Sequence, residues 1–274
     1  MHSQLSSTRQ ARHVIFFSGG ICSYLAAKRA IREAPAAETL LLFCNTMMED
    51  EDLYRFLKES AKRLDRRLIT IADGRTPWEV FSDNKMLGNP FIDPCSRVLK
   101  RALARRWIEQ HCDPHATTLY LGLSYYEEHR IKKNQAAWKP WRTEYPMCQR
   151  PLLDQCEMIA EVAGDGLRPP RLYELGFPHN NCGGFCVKAG HAHFRHLLKV
   201  LPERYRQHEE QELQLRNLLR KPVTILRDNT ARGRRPITLA EFRERCESGE
   251  PPARDEEWGG CACMLDPAPD EIPA

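Results

Sequence analysis

Short apolar runs alternate with helical periodicity through the first half of the chain. Residues 13–17, 39–44, 67–71 and 117–123 are compact apolar stretches of the kind that form strands buried on both faces. Between them, residues 21–33, 51–64 and 96–111 carry apolar positions at helical spacing, and 76–83 does so over a shorter length. This alternation predicts an α/β fold with a doubly wound parallel sheet, in which ligands bind at the carboxyl ends of the strands. All four runs lead into polar loops, such as those at Asp73-Gly74 and Ser124, which such a sheet would gather on one side.

The second half is less regular. Residues 125–150 are aromatic and basic and are expected to be irregular, and 151–164 reads as a helix. After the Pro169-Pro170 break, 171–176 reads as a short extended piece and 177–184 as a loop. A helical stretch over 187–219 follows, interrupted at Pro202, where a new helix begins. Residues 223–227 suit a strand, and 238–247 a helix with Thr238 as N-cap and Glu241 completing a capping box. The expected organisation is a nucleotide-binding α/β domain over 12–200 and a helical, cysteine-containing C-terminal extension over 201–265. Flexible tails are expected at 1–11 and 266–274.

Composition narrows the class without naming a chemistry. The chain has 274 residues, 42% hydrophobic and 28% charged, which is ordinary for a globular protein. No apolar run approaches the roughly 18 residues of a membrane span, and the polar N-terminus lacks a secretory signal. A cytoplasmic location with no membrane partner is the expectation. Net charge is only +4, yet Arg97, Lys100, Arg101, Arg105 and Arg106 cluster, as do the arginines and Lys221 between Arg216 and Arg235. Such clusters serve phosphates or nucleic acid, or are simply solvated faces, and charge alone leaves both open.

Cysteine usage is more pointed. Eleven cysteines in a chain read as cytoplasmic favour metal ligation, redox chemistry or burial over a disulfide framework. Cys22, Cys44, Cys112, Cys156 and Cys246 fall within or beside periodic segments and read as structural. Cys95, Cys148, Cys182, Cys186, Cys261 and Cys263 lie in Gly/Pro-punctuated loops, where chemistry is expected. Cys182 and Cys186 suit a shared metal, and the spacing does not separate zinc from iron–sulfur. His191, His193 and His196 follow on the next helix and read as surface or capping histidines.

The most informative stretch is 14–23. An apolar run enters Ser18-Gly19-Gly20, and a helical pattern starts at Ile21. A strand, glycine turn and helix N-terminus present backbone N–H groups and a positive dipole end to an anion, most often a phosphate. Ser18 and Ser23 add hydroxyls, and Gly19 and Gly20 permit close backbone approach.

The turn Ser18-Gly19-Gly20-Ile21-Cys22-Ser23 resembles the SGGxxS signature of the PP-loop ATP pyrophosphatase superfamily. Asn45-Thr46-Met47-Met48-Glu49 is similar to the (D/N)TGxE segment of its PAPS reductase-like branch, and Cys95-Ser96-Arg97-Val98-Leu99-Lys100 to the C-(S/T)-x-x-L-K element. Gly122 through Glu127 and Arg130 resembles the G-x-x-x-x-E-x-x-R loop. Asn181-Cys182-Gly183-Gly184-Phe185-Cys186-Val187-Lys188 resembles N-C-x-x-C-x-x-K with the second cysteine shifted by one place. The resemblance runs in order over about residues 12–200. It departs at Cys22, where the superfamily often has Asp, and at Met47, where the branch usually has Gly.

The resemblance implies an adenine nucleotide alpha-hydrolase-like (HUP) fold and an enzyme that binds ATP and magnesium. It implies a nucleotide site at Ser18, Gly19, Gly20, Ile21, Cys22, Ser23, Asn45, Thr46, Glu49 and Gly122, with Lys100 and Arg130 offsetting developing phosphate charge. A substrate oxygen would be adenylated with release of pyrophosphate, and sulfur would then displace AMP. The resemblance also favours a [4Fe-4S] cluster on Cys95, Cys182, Cys186 and a further cysteine, for which Cys261 or Cys263 is the best candidate and Cys148 stands behind them. Zinc is the alternative. Cys263 is also a candidate nucleophile or persulfide carrier on a mobile C-terminal arm. The acceptor is expected to be a nucleobase in RNA or DNA, from the basic Trp138–Arg142 loop and the Arg216–Arg235 region; Trp138 and Trp141, interleaved with Lys132, Lys133, Lys139 and Arg142, could stack on a base, but tryptophans so placed more often anchor a loop against the core. A sulfur donor protein or sulfide, and a homodimer or larger complex, complete the expected partners. Two other readings stand beside this one: a sulfonucleotide (PAPS/APS) reductase using a C-terminal cysteine, and a non-catalytic nucleotide-binding module.

Overall fold

The computed structural model describes residues 12–35, 37–89, 92–230, 233–249 and 258–259. Its centre is a five-stranded parallel sheet: β1 (Arg12–Phe16), β2 (Glu38–Asn45), β3 (Arg67–Ala72), β4 (Thr117–Leu121) and β5 (Arg142–Glu144), in the order β3-β2-β1-β4-β5. Val14 is in register with Leu40 on one side and Leu119 on the other, so β1 lies at the middle. The order reverses at β1, and the loops after β1 and β4 therefore open beside one another at the carboxyl edge.

Strand alternation sorts side chains onto two faces. Ile15, Phe17, Leu41 and Phe43 pack with Tyr24 and Leu25 of α1 (Ile21–Glu33), Phe56 of α2 (Glu51–Leu64) and Val162 of a later helix. Val14, Phe16, Leu42 and Cys44 point the other way, onto Ala104, Ile108, Trp138 and Trp141. Connecting these are α3 (Pro77–Asp83), α4 (Pro94–Ser96), α5 (Leu103–His111) and α6 (Ile131–Ala137). A π-helical turn, Arg97–Ala102, joins α4 to α5 where a continuous helix was expected.

Then come α7 (Gln155–Gly164), α8 (Arg171–Glu174), α9 (His191–Val200) and α10 (Pro202–Leu219), a hairpin of β6 (Leu226–Thr230) and β7 (Gly233–Ile237), and α11 (Leu239–Glu247). A third apolar cluster forms away from the sheet, from Trp78 and Phe81 of α3, Phe185, Phe194, Tyr205, Ile237 and Phe242. Buried Glu212 of α10 ties this layer together, accepting from the amides of Ile225 at 3.0 Å and Leu239 at 2.7 Å. The capping box of α11 is formed as expected, with Thr238 and Glu241 bonded reciprocally.

Three sequence expectations change. Residues 125–150 hold a 3-10 helix (Tyr125–Arg130), α6 and the edge strand β5, which has only Arg-Thr-Glu and no alternation to announce it. Residues 171–176 hold the short helix α8 in place of an extended piece. The Arg171 amide and guanidinium bond Asp52 and Asp50, tertiary contacts that local sequence does not reveal. The strand expected at 223–227 is displaced to β6 and gains a partner. No helix among the described residues is long and apolar enough to cross a membrane.

Candidate nucleotide and thiol sites

The turn after β1 is held by contacts from three elements. Gly19 has φ +79°, and a Cβ there would stand 2.8 Å from Leu53 Cγ, so only glycine fits. Helix α1 starts at Ile21 with Gly20 as N-cap, no side-chain cap and no acid in its first turn. Its positive end is therefore open to a ligand beside Tyr173, whose hydroxyl meets the Ile21 amide. Ser23 Oγ donates to the Gly20 carbonyl at 2.8 Å and accepts from Ser18 Oγ at 3.3 Å, which orients both hydroxyls at the turn. The Cys22 thiol donates to the Gly122 carbonyl at 3.2 Å. Burial pushes that thiol well above its ordinary range, so Cys22 serves as a neutral tie between α1 and β4. A Cβ on Gly122 would sit 2.8 Å from Ser23 Cα, which explains the glycine at the end of β4.

These residues wall a cavity of about 360 Å³, within the range of small-ligand sites. Ser18, Gly20, Ile21, Cys22, Ser23, Lys100, Gly122 and Arg130 all line it, together with Tyr126, Glu127, Tyr173, His179 and Asn180. Gly19 supports the turn from beneath. Arg130 is paired with Glu127 at 3.0 Å. Spacing did not reveal Tyr173 or Asn180. Burial pushes the Tyr173 phenol up, against a hydrogen bond from the Ile21 backbone, so the hydroxyl meets the first turn of α1 in neutral form. Asn180 donates to the Gly19 carbonyl at 2.8 Å, and its buried Oδ1 has no partner.

Asn45, Thr46 and Glu49 belong to an adjoining arrangement. Asn45 Oδ1 accepts from the Met47 amide and the Tyr54 hydroxyl, both at 2.9 Å. That Asx-type turn places Met47 at φ +59°, a left-handed conformation that glycine adopts without strain. Glu49 accepts from Thr46 Oγ1 at 2.8 Å and from the Cys182 amide, and its carboxylate is 3.9 Å from Lys100 Nζ. Glu49 thus holds the cysteine loop.

Behind Lys100 lies a second, much smaller cavity of about 20 Å³, lined by Cys95, Cys182, Cys186, Asp93, Lys100 and Lys188. Lys100 sits on the π-helical turn and walls both cavities. Its ammonium is 3.9 Å from Cys182 Sγ. Burial acts to lower its pKa, and the neighbouring Cys182 and Glu49 more than offset this. Burial raises all three thiols, Cys182 to about 12, with Lys100 opposing the rise at each. Cys182 has φ +49° and is followed by left-handed Gly183 and Gly184, a tight loop that brings its thiol back over the π turn.

Cys95, Cys182 and Cys186 therefore meet at one cavity, but among the described residues they are not drawn into a metal-binding group. Cys261 and Cys263 lie outside the described residues. Gly259, two places before Cys261, pairs with Ala189, three places after Cys186, and the Gly190 amide donates to the Trp258 carbonyl at 3.0 Å. Cys148 is elsewhere, donating to the carbonyls of Leu123 and Ser124. His193 and His196 bond the carbonyls of Gly184 at 2.7 Å and Leu175 at 2.6 Å, a bracing role.

No protein-family model and no curated protein matches the sequence. Among solved structures, the chain is similar to a phosphoadenylyl-sulfate (PAPS) reductase from Candida auris in a phosphate complex, with 14% identity over 60% of this chain and 78% of that one and a TM-score of 0.42. It is also similar to the U34-tRNA thiolase NcsA from Methanococcus maripaludis with its [4Fe-4S] cluster, with 16% identity over 77% of this chain and 72% of that one and a TM-score of 0.40.

Proposed function

We propose that this chain is an ATP-dependent enzyme that adenylates a substrate with release of pyrophosphate and transfers sulfur to it, the acceptor being a nucleobase. One observation carries the reading: the N-terminus of α1, which has no side-chain cap of its own, opens into a nucleotide-sized cavity that buried Lys100 also lines. The first-turn amides and Ser18 would hold the β- and γ-phosphates, with Lys100 facing the charge that develops as the bond to pyrophosphate breaks. The acceptor oxygen forms its bond to the α-phosphorus as the bond to the leaving pyrophosphate opens. Sulfur then bonds to the acceptor carbon as AMP departs.

Oxygen donors for magnesium are present at the turn, namely Ser18 and the orphaned Asn180 Oδ1, and the ion would neutralise charge between phosphate oxygens. Cys95, Cys182 and Cys186, with Lys100 and Lys188 offsetting thiolate charge, supply the donor chemistry for a thiolate-ligated group; Cys261 would be the fourth ligand, next to the Gly259 anchor. A [4Fe-4S] cluster held there would supply a centre for handling sulfide sulfur.

Pyrophosphate release from ATP by anaerobically purified protein tests the reading. Ser18→Ala is expected to lower kcat/KM about 10- to 100-fold, the worth of a hydrogen bond to a charged group. No pyrophosphate from the wild type, with sulfite released from a sulfonucleotide in the presence of thiol, would replace this reading with the reductase. Stoichiometric zinc in place of iron and sulfide would remove the cluster and leave the adenylation step standing.

A further inference from the structure

The aromatic residues first suited to stacking on nucleic acid are committed elsewhere. Trp138 and Trp141 are only 4% and 7% exposed, packed on the sheet with Phe16 against Trp138 and Arg105 over its ring. Tyr126 is the reverse case. It is 65% exposed, the most open of the large apolar side chains among the described residues, and it stands at the mouth of the nucleotide cavity beside Arg130 and His179. Its ring lies 3.9 Å from that of Tyr125, centroid to centroid. The 3-10 turn carrying both is secured at its start by the Ser124–Glu127 capping box.

We infer that Tyr126 is a stacking platform for an unpaired nucleobase of a single-stranded polynucleotide. A ring that keeps most of its surface in solvent at a cavity mouth suits a guest whose far side remains tethered outside. A small nucleotide held entirely within the cavity would leave such a ring unused. Charge supports a polyanionic guest: residues 125–142 hold five Lys and Arg against two carboxylates, Arg130 and Arg142 are paired with Glu127 and Glu144, and Lys132 and Lys139 are left exposed. The platform is on the β4 side, next to the phosphate turn on β1, so a docked base would reach the cavity from its open side. This rests on the adenylation reading only in making the docked base its acceptor.

The test is fluorescence-anisotropy titration of short labelled single-stranded RNA and DNA, with the duplex as control and a non-hydrolysable ATP analogue titrated in parallel. Wild type should bind single strands more tightly than duplex. Tyr126→Ala should weaken single-strand binding about fivefold or more, the worth of one stacked base, and Tyr126→Phe should restore it. Lys132→Gln should reduce the slope of log affinity against log salt by nearly one. Single-strand binding untouched by Tyr126→Ala would overturn the inference. So would equal losses for the ATP analogue and the oligonucleotide, which would assign the ring to the nucleotide's own base, or a wild type that binds no oligonucleotide. Oligonucleotide binding that depends on Tyr126 in a protein that binds no ATP analogue would sustain the platform and sink the adenylation reading.

Discussion

The two cavities that meet at Lys100 are built by opposite means. The larger one, about 360 Å³, is organised around one strand–turn–helix junction, residues 16–23, and is completed by β2, the β4 loop and later segments, with Lys100, Glu127 and Arg130 bringing charge to its walls. The smaller, about 20 Å³, is gathered from the residues after β2, α3, the 93–100 segment of α4 and the π turn, and the 181–188 loop, and is dense in thiols and charge. A phosphate site can be local because amides and a helix dipole come with the backbone. A thiol site cannot, because its cysteines come from separate pieces of chain, here α4 and the 181–188 loop.

Lys100 belongs to both, and replacing it should have the largest effect. Lys100→Met keeps the length of the side chain and removes the charge. Glu49 stays hydrogen-bonded by Thr46 and the Cys182 amide, so folding should survive. Pyrophosphate release should fall about 100- to 1000-fold, as for loss of a preorganised charge at a reacting phosphate. Iron content should fall as well, because the cation beside Cys182 is gone. A variant that releases pyrophosphate normally would show that the two cavities work independently.

A second substitution separates them. Asp50 is fully buried at the start of α2 and accepts from Arg171 at 2.8 and 2.9 Å and from Arg204 at 2.8 Å; Arg204 also donates to the Gly183 carbonyl at 2.6 Å. The carboxylate thus anchors the cysteine loop from behind and makes no contact with the phosphate turn. Asp50→Asn should lower stability by about 3 kcal/mol, the low end for breaking a buried pair, since Arg171 keeps solvent access. It should loosen iron while leaving affinity for an ATP analogue intact. Burial alone would push this carboxyl up, but hydrogen bonds from Arg171 and Arg204 hold it below its ordinary value. Its stabilisation is therefore complete above the unfolded pKa of about 3.9 and is lost as pH falls through the lower folded value. Urea unfolding across a pH series should show the gap between wild type and variant closing only in acid.

The same contrast decides what could be read in advance. Strand alternation and the Ser18–Ser23 turn are short-range patterns, so β1 to β4, α1 and the glycine turn at the carboxyl end of the sheet were legible. Cys95, Cys182 and Cys186 were legible as a set, but their meeting place depends on the π turn and on left-handed Cys182, neither of which has a spacing signature. Tyr173 and Asn180 were invisible because each reaches the turn from a distant element through a single contact. The tryptophans at 138 and 141 bear out the commoner reading of such residues: both are buried in the core against the sheet, despite the charge interleaved with them.

Cys22 should give the smallest effect, and it tests the assignment of the turn most finely. It occupies a position between two serines on the phosphate loop, yet its thiol is spent on the Gly122 carbonyl and held neutral by burial. Cys22→Ser replaces a weak thiol donor with a hydroxyl at the same place, so stability should change by less than about 1 kcal/mol and ATP-analogue affinity should hold. A thiol that reacted with substrate or ligated metal would behave otherwise, and the serine variant would lose turnover or iron outright. Retained turnover in Cys22→Ser beside lost iron in Cys182→Ser would show that proximity to the phosphate turn confers no chemistry on a cysteine, and that the thiols that matter are those Lys100 faces on its other side.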